Sequence, residues 1–163
     1  MKRIGFGYDI HPLSEGRDLV LGGVVIPFNR GLAGHSDADV LCHAIMDALL
    51  GAAARGDIGM HFPDDDPRYE GASSIDLLRT IGELLKRERY RIINIDATIV
   101  AEAPKIQPFN ESMVGNLSQA LGIKPYQISV KATTNEGFGD VGEGSAIAVY
   151  AISLISKMSL WKR

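Results

Sequence analysis

Apolar and polar positions divide this chain into stretches of two different periods. Ile93, Ile95, Ala97 and Ile99 alternate with Asn94, Asp96 and Thr98. That is the period of a half-buried strand, because successive side chains of an extended chain point to opposite faces. Residues 3–11, Gln127 to Thr134 and Ala146 to Ile155 read as further strands. Asp18 to Leu21 and Val24 to Phe28 flank Gly22-Gly23, a two-residue hairpin signal. A helical period runs through HSDADVLCHAIMDALLGAAA (35–54), with Ser36 and Asp39 resembling a capping box. The helix is expected from about Asp37 to about Gly56. Asp39, His43 and Asp47 would share one face, apart from the Val40/Ala44/Ala48 stripe. A second helix is expected from Ser74 to Tyr90, with Ile75, Leu78, Ile81, Leu84 and Leu85 as its buried stripe, and a third from about Pro108 to Leu121, stopped by Gly122. Between the first two helices, RGDIGMHFPDDDPRYEGASS (55–74) has no period and is rich in Gly, Pro and Asp. A loop of that length in a small domain is more often functional than accidental. Strands and helices in this mixed order predict an α+β fold.

The 163 residues are enough for one domain with a sizeable core, so a single domain over 1–163 is expected. A net charge of −3 gives no electrostatic ground for binding nucleic acid or an acidic membrane. An anionic ligand would need a local site or a metal to offset the repulsion. The one cysteine, Cys42, has no internal disulfide partner, which fits a reducing compartment, and small apolar packing is its expected role. No apolar run approaches ~20 residues, so no membrane span is expected. The chain enters a strand directly after Met1, which predicts a cytoplasmic protein without a signal peptide; the alternative is the mature form of a plastid-targeted precursor.

Chemistry concentrates at Asp9-Ile10-His11. In a strand, residues i and i+2 face the same side, so Asp9 and His11 project together. His43, on the first helix, can supply a third ligand. Three protein ligands with one open position describe a catalytic zinc site. The alternative is a salt-linked Asp–His pair beside an unrelated helix histidine. His35 and Ser36, at the expected helix start, would put donors near a phosphate, while Ser36 can equally be a plain N-cap. Asp57 can cap a turn, Asp64-Asp65-Asp66 can be a solvated loop face, Lys105 can face solvent and Glu136 can be a loop carboxylate. His61 reads as a surface histidine and Trp161 as packing or frayed tail.

Three stretches speak together: GYDIHPL (7–13), HSDADVLCHAIMDALLGAAARGDIGMHFPDDDP (35–67), and AEAPKIQPF with KATTNE (101–109, 131–136). With these, the chain resembles the 2-C-methyl-D-erythritol 2,4-cyclodiphosphate synthase family nearly end to end, and its length matches the stand-alone cyclase. The resemblance implies a homotrimer with active sites between subunits, and a mixed sheet with helices packed on one face. The implied substrate is 4-diphosphocytidyl-2-C-methyl-D-erythritol 2-phosphate, and the products are the cyclic diphosphate and CMP. It implies Asp9, His11 and His43 as ligands of Zn2+ or a similar ion, and Glu136 as the carboxylate reaching Mg2+ or Mn2+ on the substrate diphosphate. His35 and Thr134, with Ser36 beside His35, would position the reacting phosphates. Asp57, Ile58 and Gly59 would meet the methylerythritol hydroxyls. Phe62, Pro63, Asp64, Asp65 and Asp66 would form a flap over that sugar. Ala101, Pro104, Lys105, Ile106, Ala132 and Thr133 would form the cytidine pocket contributed by the adjoining chain.

Asp140 and Glu143 depart from the resemblance, since many bacterial relatives carry an aromatic residue and an arginine there. A carboxylate cannot donate to a phosphate, so weak or absent binding of an isoprenoid diphosphate along the trimer axis is expected. Two other readings use the same residues: a metal-dependent phosphohydrolase, and a non-catalytic isoprenoid-phosphate binding protein.

Overall fold

In the computed structural model, residues 1–158 can be described; Trp161 lies outside the described residues. The alternating stretches become β1 (Lys2–Ser14), β2 (Leu19–Leu21), β3 (Val24–Ile26), β4 (Gly31–Leu32), β5 (Tyr90–Val100), β6 (Ile128–Thr133) and β7 (Ala146–Lys157). The helices are α1 (Val40–Ala53), α2 (Ile58–His61), α3 (Ser74–Arg87), α4 (Asn110–Leu121) and α5 (Gly139–Gly142). Five strands form one sheet in the order β4-β1-β7-β5-β6, and β2 and β3 form the expected hairpin. The β5–β6 pair is parallel and the other pairs are antiparallel. The architecture is a mixed-sheet α+β domain.

The position of the site follows from β1. Its odd residues Gly5, Gly7, Asp9 and His11 face α1, and its even residues Ile4, Phe6, Tyr8 and Ile10 face away. A Cβ on Gly5 would lie 1.8 Å from the Ala48 carbonyl oxygen, so only glycine lets the helix backbone come this close. α1 is buried almost all round: Leu41, Ile45, Met46, Leu49 and Leu50 are fully enclosed. Truncating one such leucine to alanine costs about 2–5 kcal/mol through lost transfer energy and the cavity left behind.

Several expectations need correction. α1 begins at Val40 instead of near Asp37, because Asp39 is the N-cap, its Oδ1 accepting from Cys42 N–H at 3.1 Å. Asp39 is fully buried and shares no solvent face with Asp47; its Oδ2 accepts from Gly23 N–H at 2.7 Å and so ties the hairpin to the helix. α1 ends at Ala53, with Ala54 in the left-handed conformation, short of Gly56. A bulge at Ile93 breaks the simple alternation of β5, so that Ile92 is buried with Ile95, Ala97 and Ile99 while Ile93 is only half-buried. Segment 55–74 holds the short α2 and a single 3-10 turn at Pro67–Tyr69. Cys42 is fully buried, its thiol donating to Asp39 Oδ2 at 3.3 Å; burial, then the Asp39 charge, pushes its pKa well up.

Candidate metal centre and nucleotide site

Asp9 and His11 leave β1 on the same face and meet His43, which the close approach of α1 brings to them. Asp9 Oδ2 lies 2.9 Å from His11 Nε2 and 3.0 Å from His43 Nδ1, and the two nitrogens are 3.2 Å apart. Tetrahedral coordination at ordinary zinc–ligand bond lengths separates ligand atoms by about 3.3 Å. The three donors therefore fit a divalent ion after slight expansion, and they form a possible metal-binding cluster. His11 Nδ1–H donates to the Ala33 carbonyl at 2.6 Å, which leaves Nε2 free to bind a cation.

The charges at the cluster are mutually adjusted. Burial alone would raise the Asp9 carboxyl, but hydrogen bonds and charge from His11 and His43 outweigh it and hold the group at about 2. Burial would lower His11, but the hydrogen bond to Asp9, the Ala33 carbonyl and the Asp9 and Asp64 charges raise it. A cavity of about 280 Å³ opens beside the cluster and is lined by His35, Ser36, Ile58, Gly59, Phe62 and Asp64 among others. His35 Nε2 is buried there without a protein partner, an imidazole nitrogen still able to hydrogen-bond a ligand. The loop carrying it is tied from outside by Arg17, which donates to the Gly34 and Ser36 carbonyls at 3.0 and 2.8 Å.

Comparison with known proteins agrees with this geometry. The YgbB family model matches residues 2–156. The 2-C-methyl-D-erythritol 2,4-cyclodiphosphate synthase of Pelotomaculum thermopropionicum is 59% identical over 155 residues, which cover 95% of this chain and 96% of that protein. The chain belongs to the 2-C-methyl-D-erythritol 2,4-cyclodiphosphate synthase family. Among solved structures, a Plasmodium falciparum IspF in complex with CDP is 38% identical, with a TM-score of 0.84 and 97% of each chain covered. The bifunctional IspDF of Campylobacter jejuni gives a TM-score of 0.93 at 37% identity; the match covers 98% of this chain and 43% of that longer one.

Within this synthase fold, the residues singled out in the sequence fall into two groups. Asp9, His11, His35, Ser36, His43, Ile58, Gly59, Phe62 and Asp64 gather around the one cavity. Asp57 caps α2 through Met60 N–H, while Asp47 accepts from Ile58 N–H at 2.8 Å and anchors the same turn to α1. Asp66 is engaged by Arg68 and caps the following 3-10 turn, and Asp65 is exposed. Phe62 stacks edge-on against Tyr69, a cavity-lining aromatic that the sequence pattern did not single out. His61 is half-buried, and its ring lies 2.9 Å from the Arg55 carbonyl.

The second group lies across the sheet. Asp9 pairs with Val149, Val149 with Ile99, and Ile99 with Ala132, so three strand spacings, roughly 14 Å, separate β1 from β6 within one chain. Ala132, Thr133, Thr134 and Glu136 are exposed at the β6 edge, near the exposed Lys105 and half-buried Pro104. Ala101 and Ile106 are buried in the chain's own core. The Thr134 hydroxyl donates to Glu136 Oε1 at 2.6 Å. Glu102, absent from the expected set, accepts from Asn135 N–H at 2.8 Å and Gly137 N–H at 3.3 Å. It thereby holds Glu136 in a left-handed backbone conformation (φ 52°). Asp140 and Glu143 are exposed.

The start of α1 lies further from His35 and Ser36 than the sequence suggests. The helix starts beyond Ser36, and the Asp39 carboxylate caps it through Cys42 N–H. Ser36 Oγ accepts instead from Ala38 N–H at 3.1 Å and lies 3.2 Å from His43 Nε2.

Proposed function

We propose that this chain converts 4-diphosphocytidyl-2-C-methyl-D-erythritol 2-phosphate to 2-C-methyl-D-erythritol 2,4-cyclodiphosphate and CMP, a step of non-mevalonate isoprenoid biosynthesis. The observation that carries the reading is the Asp9/His11/His43 cluster opening on a cavity that His35, with its unpartnered Nε2, helps to line. A 2-phosphate oxygen attacks the β-phosphorus while the bond from that phosphorus to the CMP oxygen breaks, and the electron pair leaves with CMP. The nucleophile is already an anion, so the residues have to position and neutralise, with no strong base required. Zn2+ held by Asp9, His11 and His43, with Mg2+ or Mn2+ at Glu136, would supply charge neutralisation of the phosphate oxygens. His35 donates to a phosphate oxygen, with Ser36 beside it, and Thr134 orients the reacting phosphates of the substrate. Asp57 and the backbone of Ile58 and Gly59 hold the methylerythritol hydroxyls, and Phe62 to Asp66 cover them.

The cytidine end of the site is completed by a neighbouring copy. Ala101, Pro104, Lys105, Ile106, Ala132 and Thr133 form that pocket, and the wide separation of β1 from β6 favours a site built from two chains. The β1/β7 face turned away from α1 carries Ile4, Phe6, Tyr8, Ile10, Tyr150 and Ile152, all exposed in a single chain and up to 73% so at Ile4. An apolar patch of this kind marks an association surface, and we assign it to a homotrimer of this chain. Residues 1–163 act as one catalytic domain on a small-molecule substrate, in the cytoplasm, or in the plastid stroma for a targeted precursor, without nucleic acid or membrane. Among the described residues no helix is long and apolar enough to cross a membrane.

Phosphorus-31 NMR of the full chain with substrate, zinc and magnesium tests the reading. Two coupled cyclic-diphosphate resonances appearing with CMP are expected. CMP released with only open-chain phosphates would replace the cyclase by a hydrolase, and an unchanged spectrum with metals bound would leave a binding protein.

A further inference from the structure

Two side chains outside the ligand set decide which nitrogen of His43 carries its proton. Ser74 opens α3 and is fully buried. Its backbone N–H donates to Asp37 Oδ2 at 3.0 Å, and its hydroxyl donates to Asp37 Oδ1 at 2.5 Å. Asp37 also accepts from Asp39 N–H at 3.2 Å, so this carboxylate acts wholly as an acceptor. A serine hydroxyl has one proton, and here it is committed to Asp37. Toward His43 Nε2, 3.1 Å away, Ser74 Oγ then presents only a lone pair. Nε2 then carries a ring proton toward Ser74, and Nδ1, 3.0 Å from Asp9 Oδ2 and 3.2 Å from His11 Nε2, is the nitrogen whose lone pair a metal would take. Ser36 Oγ, 3.2 Å from Nε2, is compatible with this polarity: it can accept from Nε2 and turn its own proton toward Ser74 Oγ, 3.4 Å away.

We infer that Asp37 and Ser74 form a carboxylate–hydroxyl–imidazole relay that fixes the tautomer of His43 and thereby sets the affinity of the cluster for a divalent metal. Both are positioning residues, and the inference rests on the metal reading above. A histidine ligand is usually held by a direct hydrogen bond from its far nitrogen to a carbonyl or carboxylate, as His11 is by Ala33. At His43 a hydroxyl is interposed, and the carboxylate acts at one remove. The device also joins the metal centre to the downstream end of the flap segment. Asp37 N–H donates to the Ala72 carbonyl and Gly71 N–H to the His35 carbonyl, so the loop bearing the relay is fastened to the residues just before α3.

Zinc affinity of the full chain, stripped of metal and titrated against a chromophoric chelator, tests this. Ser74→Ala and the near-isosteric Ser74→Val are expected to weaken zinc by about 10–100-fold, the usual effect of removing such a partner. Ser74→Thr keeps the hydroxyl and is expected within about threefold of the parent. Asp37→Asn offers an N–H where the carboxylate accepted, turning the Ser74 proton toward Nε2, and is expected to weaken zinc comparably. Melting of the metal-free variants separates these losses from unfolding; should Ser74→Val not fold, Ser74→Ala and Asp37→Asn carry the comparison. Folded Ser74→Ala and Asp37→Asn proteins with parental zinc affinity would overturn the relay. A parent chain that binds no zinc would overturn the metal reading on which it stands.

Discussion

Gly7 of β1 lies directly beneath Ala44 of α1, so close that a Cβ on Gly7 would stand 2.0 Å from the Ala44 carbonyl oxygen. Backbone cannot yield as a flexible side chain can, so the helix must lift. His43 is the neighbour of Ala44, and its ring meets Asp9 two residues along the strand from Gly7. The packing of two glycines is therefore a condition for the metal cluster. Gly7→Ala is expected to cost about 3 kcal/mol in urea unfolding, at the upper end of overpacking effects, and to weaken zinc in whatever fraction remains folded. A variant with parental stability would refute this account of how α1 is seated.

His43→Ala tests the ligand itself. The fold is expected to survive, because the ring is at the cavity wall and the surrounding α1 core is intact, while zinc binding and most turnover are lost. Metal content after dialysis, measured beside circular dichroism, checks both halves. Full zinc occupancy in the folded variant would remove His43 from the ligand set.

The cluster also makes stability depend on pH, and in the metal-free chain Asp9 and His11 act in opposite senses. In the metal-free chain His11 is raised above its ordinary 6.5, so its contribution is complete below 6.5 and is lost as pH rises through the raised value. Asp9 is lowered from 3.8 to about 2, so its contribution is present above 3.8 and is lost as pH falls toward 2. Zinc requires the unprotonated His11 ring and competes with that bound proton. The increase in Tm produced by zinc is therefore expected to be small at pH 5.5 and to grow steadily to pH 8. A zinc-induced shift that does not change across this range would contradict the proton competition.

Much of this was legible in the sequence for a physical reason: period. Alternation marks β5 and β6, and i, i+2 spacing alone puts Asp9 beside His11. The start of α1 was misjudged because HSDAD offers several capping side chains in a row, and only the tertiary bond from Gly23 N–H selects Asp39. The bulge at Ile93 left no mark, since either register of Ile92 and Ile93 is equally apolar. Asp37, Ser74 and Glu102 were missed as functional residues for a shared reason. Each acts through hydrogen bonds to residues distant in sequence or to bare backbone, and neither leaves a spacing pattern. Arg17 is the same case, since its partners are carbonyls.

Glu102 supplies a test at the other end of the site. By accepting from Asn135 and Gly137 N–H groups it holds the turn that presents Glu136 beside Thr134. Glu102→Ala is expected to weaken magnesium-dependent binding of CDP by roughly tenfold, the cost of about one charge-assisted hydrogen bond, while zinc affinity stays parental. Calorimetry with CDP and magnesium reads the first effect and chelator competition the second. Parental CDP affinity would show that the turn holds its shape without Glu102.

The apolar face of β1 and β7 gives the sharpest test of assembly. Phe6 is 60% exposed in the single chain and stacks near Tyr150, whose ring in turn lies 4.9 Å from that of Tyr8. Its side chain points away from α1 and from the metal cluster, so a change there leaves the chain's own core untouched. A lysine at this position would bring a charge into any surface that closes over the face, where an unpaired buried charge is not tolerated. Phe6→Lys is accordingly expected to give a folded monomer by analytical ultracentrifugation, where the parent chain sediments as a trimer. Zinc should still bind, because Asp9, His11 and His43 come from one chain. Turnover is expected to vanish, since in the proposed assembly the β6 edge of a neighbour completes the cytidine pocket. A monomeric variant with parental turnover would place the whole site within one chain, and a trimeric one would move the interface away from this face.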